Sequence, residues 1–228
     1  MPFKIIKNHT RERFSEVLIN LAHIESMEPK QPIEETPPHV KIQRGLYYVH
    51  LYSVLEKTIN DVVEQTLLTI NSKNVKNIHF ETKFNVISLN PKMQGFKSCG
   101  YKDYFQKSSD IFSCIDSEEN FEIDNSLFSK NLQNVWFDTI QQILISFGAD
   151  PLIVEPRLKY TVNEVVDKRN AVAHGRESPI SIGERFRADI LRSKTTEIQL
   201  VSDMFISSFE VYISNRNYIR PNFRVEYN

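Results

Sequence analysis

The chain has 228 residues, of which 40% are hydrophobic, and its formal net charge is −1. This length suits one domain with one core, and the near-neutral charge argues against a uniformly basic nucleic-acid-binding protein. The two cysteines, Cys99 and Cys114, are too few for a disulfide framework and lie in no zinc-binding motif, so we predict a cytoplasmic protein without a bound metal or cofactor.

The first predicted element is a short amphipathic helix over residues 10–28, in which Phe14, Val17 and Leu21 recur at helical spacing. Residues 29–38 contain four prolines and no apolar period, which predicts a linker. We therefore expect residues 1–40 to form an appended helix followed by a proline-rich linker. No signal peptide is evident, and no apolar run approaches the roughly 20 residues of a membrane span, so we expect no membrane contact.

The main domain is predicted to span residues 41–214 and to contain two long core helices. The first, over residues 41–70, has the longest helical apolar pattern, formed by Tyr48, Leu51, Tyr52, Leu55, Ile59, Val62 and Val63. The second is predicted over residues 126–147, where Gly148 has the position of a C-terminal cap. The tail, residues 215–228, is predicted to be irregular.

Residues 73–124 lack a helical apolar period and are interrupted by proline and glycine, which predicts an irregular insertion. Residues 80–86 alternate between apolar and polar, so a short β-hairpin is one interpretation of this segment. The aromatic residues Tyr101, Tyr104 and Phe105 have two interpretations, as rings that stack on bases or as the core of the insertion. Their apolar character favours the second interpretation.

Two further helices are predicted from capping boxes, which are Thr161 with Glu164 and Ser181 with Glu184. The first of these helices is expected to end on His174, because Gly175 follows its last periodic residue. The second is expected to bend near residues 193–196 and to continue to about Tyr212. The predicted elements are almost all helical, so the predicted fold class is all-α.

The hexapeptide RNAVAH, residues 169–174, combines three polar side chains at the end of a packed helix. Arg169 interrupts a stripe of valines, and its permanent charge needs a carboxylate, a phosphate or a polar cleft there. Asn170 and His174 are four residues apart on the neighbouring face, within reach of the Arg169 side chain. A histidine at this position can act as an acid or a base, so we identify all three as candidate catalytic residues.

Structural roles remain open for the same residues. Arg169 can form an ion pair with a core acid such as Glu56, and His174 can cap its own helix. Glu56, on the first core helix, is also a candidate for orienting His174 or positioning Arg169. His50, on the same helix, is interpreted as a packed histidine.

Basic residues are concentrated around the hexapeptide, since residues 157–194 contain nine basic and five acidic side chains. An RNA-binding surface and ordinary solvated helix faces explain this excess equally well. Arg176 and Arg185, just beyond the hexapeptide, are candidate contacts for RNA phosphates.

The sequence RNAVAHG resembles the Arg-x(4–6)-His signature of the HEPN superfamily (higher eukaryotes and prokaryotes nucleotide-binding domains). The segment RGLYYVHLYSVLEKTINDVVEQ, residues 44–65, is similar to the first core helix of bacterial HEPN proteins. The segment DKRNAVAHGRESPISIGERF, residues 167–186, is similar to their motif helix and following turn. The resemblance covers residues 41–214 without the insertion. It implies an antiparallel bundle of four to five core helices that dimerises with the motif helices facing each other.

The resemblance also implies a metal-independent endoribonuclease, as many members of the superfamily are. Attack by the RNA 2′-hydroxyl leaves a 2′,3′-cyclic phosphate and needs a base, an acid and cations that stabilise the phosphorane. One motif supplies one histidine and one arginine, whereas two motifs across a twofold axis supply a complete composite site. His174 would be the acid or base, Arg169 the phosphate clamp and Asn170 the orienting group. The implied role is a toxin or an anti-phage defence effector, with an antitoxin or a defence-system partner.

Two rival functions differ from this one. Glu81, Thr82 and Lys83 have the ExK spacing of metal-dependent DNA nucleases, twenty residues after Asp61. We discount this rival because such sites need the acid on an adjacent strand, and Asp61 lies in a strongly helical segment. The stronger rival is a non-catalytic HEPN module that binds RNA, a nucleotide or a protein partner.

Overall fold

The computed structural model describes residues 3–31, 34–120, 122–128 and 134–227. The helices in these ranges are α1 (Phe3–Ser26), α2 (Pro38–Asn71), α3 (Asn85–Ser88), α4 (Asn90–Lys97), α5 (Tyr101–Ile115), α6 (Phe137–Phe147), α7 (Pro156–Ala173), α8 (Pro179–Arg185) and α9 (Ala188–Ser214). Short 3-10 helices cover Asn77–His79, Thr82–Phe84 and Pro221–Tyr227. The described residues contain no strand, so the predicted all-α class is confirmed.

The chain forms two compact units. The first consists of the described residues within 1–61, 132–140 and 152–206. The second consists of those within 62–131, 141–151 and 207–228. Across the described part of the chain, no helix combines the length and the apolar character needed to cross a bilayer.

The core of the first unit is formed by the apolar faces of helices, on which hydrophobic residues recur every three or four positions. These residues are all buried, and they include Val17, Leu21, Tyr48, Leu51, Leu55, Val162, Val165, Val166, Leu191, Ile198 and Val201. Full burial of one such aliphatic side chain contributes about 1.5–3 kcal/mol, so this pattern decides where the helices pack. The long helix predicted over residues 41–70 is confirmed as α2.

Helix α1, predicted to be an appendage, packs within the first unit. Its Phe14 and Leu21 side chains are buried. Arg13 donates to Asp61 on α2 at 2.8 Å, and the Asn20 amide lies 3.3 Å from Nδ1 of His50. His50 is thus half-buried and held by α1, in agreement with its interpretation as a packed histidine.

The core of the second unit combines aliphatic side chains with a cluster of aromatic rings. The Phe147 ring is packed edge-on against Phe209 at a centroid distance of 4.9 Å, and Phe80 contacts Phe84 at 4.9 Å. The Tyr212 hydroxyl donates to the Phe147 carbonyl at 2.6 Å, which satisfies the polar end of a fully buried ring. Gly148 ends α6 with a φ of +78°, as predicted from its position.

The β-hairpin interpretation of the insertion is wrong. Residues 82–84 form a 3-10 helix, and α3 follows directly. The buried residues Phe80, Phe84 and Ile87 are spaced by four and three, which is helical, whereas Val86 is 48% exposed. A single isolated bridge joins Phe80 to Ile219.

The predicted starts of α6 and α7 are also wrong. Helix α6 begins at Phe137 rather than near residue 126, although residues 129–133 of that prediction lie outside the described residues. Helix α7 begins at Pro156, because a proline at the first helical position needs no N–H partner. The Thr161 hydroxyl, predicted to cap α7, instead donates to Glu197 of α9.

The next predicted cap is displaced by three residues, since Ser178 rather than Ser181 caps α8. The Ser178 hydroxyl accepts a hydrogen bond from the Ser181 N–H at 3.2 Å. A break at residues 186–187 then separates α8 from α9, which continues without interruption to Ser214.

Candidate active site

Helix α7 ends in a left-handed glycine cap that fixes the position of His174. Gly175 has a φ of +67°, a conformation that glycine adopts without steric cost. Its N–H donates to the Val172 carbonyl at 3.2 Å, and the Arg176 N–H donates to the Ala171 carbonyl at 2.8 Å. These two bonds form a Schellman motif. The helix therefore ends at His174, as predicted.

Arg169 lies on a side of α7 that otherwise packs into the core. Val162 and Val165, two turns and one turn before it, are fully buried, whereas the Arg169 side chain is 24% exposed. Its guanidinium carbon lies 4.2 Å from the centre of the Tyr52 ring on α2. This cation–π contact stabilises the charge on an apolar surface and leaves the group accessible to a ligand.

The hydrogen bonds of Arg169 involve one nitrogen of its guanidinium. Nη1 donates to Oδ1 of Asn170 at 2.7 Å and to Oδ1 of Asn134 at 3.3 Å. Within the described residues, the Nε and Nη2 atoms donate no hydrogen bond. These two nitrogens present the pair of parallel N–H groups with which arginine binds carboxylate or phosphate oxygens.

Glu56 neutralises Arg169 without forming a hydrogen bond to it. The Glu56 Oε2 atom lies 3.9 Å from Nη2 of Arg169, and both side chains are partly exposed. The other carboxylate oxygen, Oε1, accepts a hydrogen bond from the Tyr52 hydroxyl at 3.0 Å. Glu56 therefore lies next to the guanidinium of Arg169, and its role in positioning the arginine stays a prediction.

Tyr52 connects the elements around Arg169. Its hydroxyl donates to Glu56 and accepts a hydrogen bond from the Val135 N–H at 3.2 Å. Burial raises the pKa of Tyr52 to about 12. The hydrogen bond from the Val135 N–H lowers this pKa in part, whereas the nearby Glu56 carboxylate raises it further. The phenol consequently stays protonated at physiological pH and can donate to the carboxylate.

The Tyr52→Phe variant is expected to lower the free energy of unfolding by about 1–2 kcal/mol, because it leaves the buried Val135 N–H without an acceptor and Glu56 without a donor. A urea titration followed by circular dichroism measures this loss. Tyr160→Phe, on an exposed ring of α7, is the matched control and should change stability little. Equal midpoints for Tyr52→Phe and wild type would contradict the assigned role of the hydroxyl.

His174 is exposed, in contrast to the arginine. Its backbone N–H donates to the Asn170 carbonyl at 3.0 Å in the last helical turn. The imidazole has no hydrogen-bond or ion-pair partner among the described residues. The structure thus joins Arg169, Asn170 and Glu56 in one network and leaves the His174 ring free for another molecule.

The predicted phosphate contacts Arg176 and Arg185 lie on the surface in ion pairs. Arg176 donates to Asp167 at 3.1 Å, and Arg185 donates to Glu177. Burial alone would raise the pKa of the Asp167 carboxyl, but hydrogen bonds from Arg176 and Lys168 outweigh it and lower that pKa below its ordinary value. Neither arginine is part of the network around Arg169.

The residues of the discounted DNA-nuclease site do not form a strand-based arrangement. Asp61 lies on α2, in ion pairs with Arg13 and Lys57. Glu81 precedes the 3-10 helix Thr82–Phe84. In the described part of the chain, no group of three or more His, Cys, Asp or Glu side chains could hold a metal ion.

Two residues of the network, Tyr52 and Asn134, are missing from the sequence-based candidates. Tyr52 precedes Glu56 by four residues, so helical spacing places its hydroxyl beside that carboxylate and could have identified it. Asn134 has no comparable signal, since it precedes α6 and is separated from Arg169 by 35 residues.

The comparisons with known proteins identify the family of the chain. The family model RiboL-PSP-HEPN matches residues 8–211, which include most of α1, the network around Arg169 and His174. No curated protein and no solved structure matches the chain significantly. Because the match covers most of the sequence, the chain belongs to the RiboL-PSP-HEPN family and thereby to the HEPN superfamily.

Proposed function

We propose that this protein is a metal-independent endoribonuclease in which Arg169 binds the scissile phosphate and His174 transfers protons. The HEPN superfamily contains modules that act on RNA, which supports a nuclease or RNA-related role at the coarser level. The observation that carries the proposal is the Nε and Nη2 edge of Arg169, which donates no hydrogen bond within the described residues, although the Glu56 carboxylate lies 3.9 Å from Nη2. The guanidinium lies over Tyr52, on the helix that ends beside His174, whose ring has no hydrogen-bond or ion-pair partner among the described residues.

The network around Arg169 suits a group that must bind an anion at a fixed position. Tyr52 contacts the guanidinium, and Asn170 and Asn134 both accept from Nη1, so the Nε and Nη2 atoms form no hydrogen bond with these three residues. In the absence of RNA, Glu56 partly balances the positive charge of Arg169. Such preorganisation lets the donors stabilise a developing charge without rearranging during the reaction.

The proposed reaction is an intramolecular transesterification. A base removes the proton of the 2′-hydroxyl, the 2′-oxygen attacks the adjacent phosphorus, and the bond from phosphorus to the 5′-oxygen breaks. An acid protonates the leaving 5′-oxygen. The products are an RNA end with a 2′,3′-cyclic phosphate and an RNA end with a 5′-hydroxyl.

One chain supplies one histidine at this site, whereas the reaction uses a base and an acid. We propose that two copies meet at the ends of α7, so that one His174 is the base and the other is the acid. The two Arg169 side chains then lie on either side of the phosphorane. In this assembly Asn170 keeps each arginine oriented, as its 2.7 Å bond to Nη1 indicates.

Arg176 and Arg185 are proposed to contact RNA phosphates further from the reacting bond. Their carboxylate partners are partly exposed, and ion pairs near the surface contribute about 1 kcal/mol or less, so a phosphate can replace the carboxylate. The biological role that we propose, from the family alone, is a cytoplasmic toxin or defence effector restrained by an antitoxin or another component of a defence system.

A non-catalytic RNA-binding or nucleotide-binding module is the second candidate function. The contact of Arg169 with Glu56 favours it, because it gives the arginine a structural partner within the fold. The 3.9 Å separation and the partial exposure of both groups make this pair weaker than a buried, hydrogen-bonded one.

The deciding experiment is cleavage of labelled RNA by the purified protein in EDTA. His174→Ala is expected to lower the rate by about 100-fold or more, since one general acid or base contributes a factor of that order. His23→Ala, at an exposed histidine near the end of α1, is the matched control and should keep the wild-type rate. The product ends should be a 2′,3′-cyclic phosphate and a 5′-hydroxyl.

The other possible results separate the alternatives. Equal cleavage by wild type and His174→Ala would contradict the catalytic assignment. RNA binding without cleavage by the wild type would favour the non-catalytic module. Cleavage of DNA that EDTA abolishes would favour the discounted metal-dependent nuclease.

A further inference from the structure

The segment predicted to be an irregular insertion contains an exposed aromatic surface on α5. Tyr101, Phe105 and Phe112 are 83%, 70% and 68% exposed, respectively. They are spaced by four and seven residues, so they lie along one stripe of the helix. We call these three residues together with Tyr104, which is 45% exposed, the aromatic platform. The interpretation of Tyr101, Tyr104 and Phe105 as the core of the insertion is therefore wrong.

One ring of the neighbouring helix α4 supports the platform. Phe96 of α4 contacts Tyr104 at a centroid distance of 5.0 Å. Tyr104 in turn lies edge-on to Phe105 at 5.4 Å, and Phe105 lies 6.4 Å from Tyr101. These contacts orient the rings and leave the outer faces of Tyr101 and Phe105 open to solvent.

We infer that the aromatic platform binds single-stranded RNA by stacking bases on its exposed rings. An exposed apolar patch of several large side chains marks an interaction surface. Aromatic rings beside basic side chains are the recurring solution for single-stranded nucleic acid, because every base has a face that stacks and every nucleotide carries a phosphate. The inference rests on the proposed function, which makes RNA the substrate.

The charges of α4 and α5 fit RNA. Residues 90–115 contain four lysines and two aspartates, whereas the whole chain has a net charge of −1. Lys102 precedes Phe105 by three residues and is its neighbour on the helix surface. Within the described residues, Lys97 and Lys102 have no ion-pair or hydrogen-bond partner, so both ammonium groups are available for phosphates.

The pattern of the stripe fits a second helix less well. A helix that packs against another has apolar residues at successive turns. Here Ser108 occupies the turn between Phe105 and Phe112, which leaves the two rings separated by about 10 Å along the axis. The stripe is thus a series of separate ring faces, as base stacking requires, rather than a continuous apolar seam.

The test is fluorescence anisotropy of the full-length protein with a labelled 2′-O-methyl RNA of about 12 nucleotides, a length within the range of known single-strand sites. This RNA cannot be cleaved by 2′-hydroxyl attack, so binding is measured whether or not the protein is a nuclease. Phe105→Ala is expected to weaken the affinity about 10-fold, and Phe105→Leu should also weaken it, because leucine keeps apolar area and removes the stacking face. Tyr160→Ala, at an exposed ring of α7, is the matched control and should bind like wild type.

Lys97→Gln combined with Lys102→Gln should reduce the dependence of the affinity on salt, since fewer phosphates are neutralised. Wild-type affinity in Phe105→Ala would overturn the inference. If Phe105→Ala kept the wild-type affinity for RNA and lost a dimer in sedimentation, the inference would also be overturned. The platform would then be a contact between two copies of the chain. If the protein cleaved RNA and its binding did not depend on the platform, this inference would be overturned and the proposed nuclease activity would stand. Platform-dependent binding by a protein that does not cleave RNA would overturn the proposed nuclease and leave the platform intact.

Discussion

Arg169→Ala is expected to lower the rate of RNA cleavage by about 100-fold or more, because removing one preorganised donor to a developing charge has an effect of that order. The loss should be in kcat rather than in KM, since the phosphorane carries more negative charge than the ground-state phosphate and gains more from the guanidinium. Single-turnover cleavage in EDTA with the enzyme in excess measures the chemical step directly.

Arg169→Lys separates charge from geometry at the same position. Lysine keeps the positive charge but has no planar edge with two parallel N–H groups, so we expect a rate between those of wild type and Arg169→Ala. Arg176→Ala is the matched control: its guanidinium is exposed and paired with Asp167, and its removal should weaken RNA binding slightly without changing kcat. If Arg169→Ala cleaved at the wild-type rate while folded, the arginine would be structural and its contact with Glu56 would be its role.

The local part of the site could be predicted from the sequence. The order of Arg169, Asn170 and His174 along one helix, followed by Gly175, determines that the histidine lies at the helix end and that the arginine lies a turn earlier. The partners of the arginine come from α2 and from the residues before α6, and no short-range rule specifies which side chains meet across such distances.

The contrast between local and long-range contacts also explains which helices could be predicted from the sequence. The prediction of helix α2 is close because its apolar residues recur regularly along the helix. The helix starts predicted from capping boxes were wrong because a capping box is a local signal, and tertiary contacts can use the same side chains. Thr161 has its partner in Glu197 of α9, and Glu184 forms an ion pair with Lys41 of α2 at 2.8 Å.

Gly183→Ala is expected to destabilise the protein by about 3 kcal/mol or more, the upper part of the range for overpacking a closely packed contact. A Cβ at residue 183 would lie 1.8 Å from the Lys41 carbonyl oxygen and 2.9 Å from the Gly45 backbone nitrogen. Both neighbours are backbone atoms of α2, so no side-chain rotation can relieve the overlap. Thermal or urea unfolding measures the loss.

Gly45 forms the other half of this contact, since a Cβ there would lie 2.1 Å from the Pro179 carbonyl oxygen of α8. Gly45→Ala should therefore be destabilising too, and the double variant should lose less than the sum of the two, because either methyl group already separates α2 from α8. Gly100→Ala is the matched control, as no atom lies within 4 Å of the added Cβ. Since α8 begins five residues after His174, a separated α8 should also lower RNA cleavage at temperatures where the variant stays folded. A Gly183→Ala protein with the wild-type midpoint would show that α2 and α8 do not approach this closely.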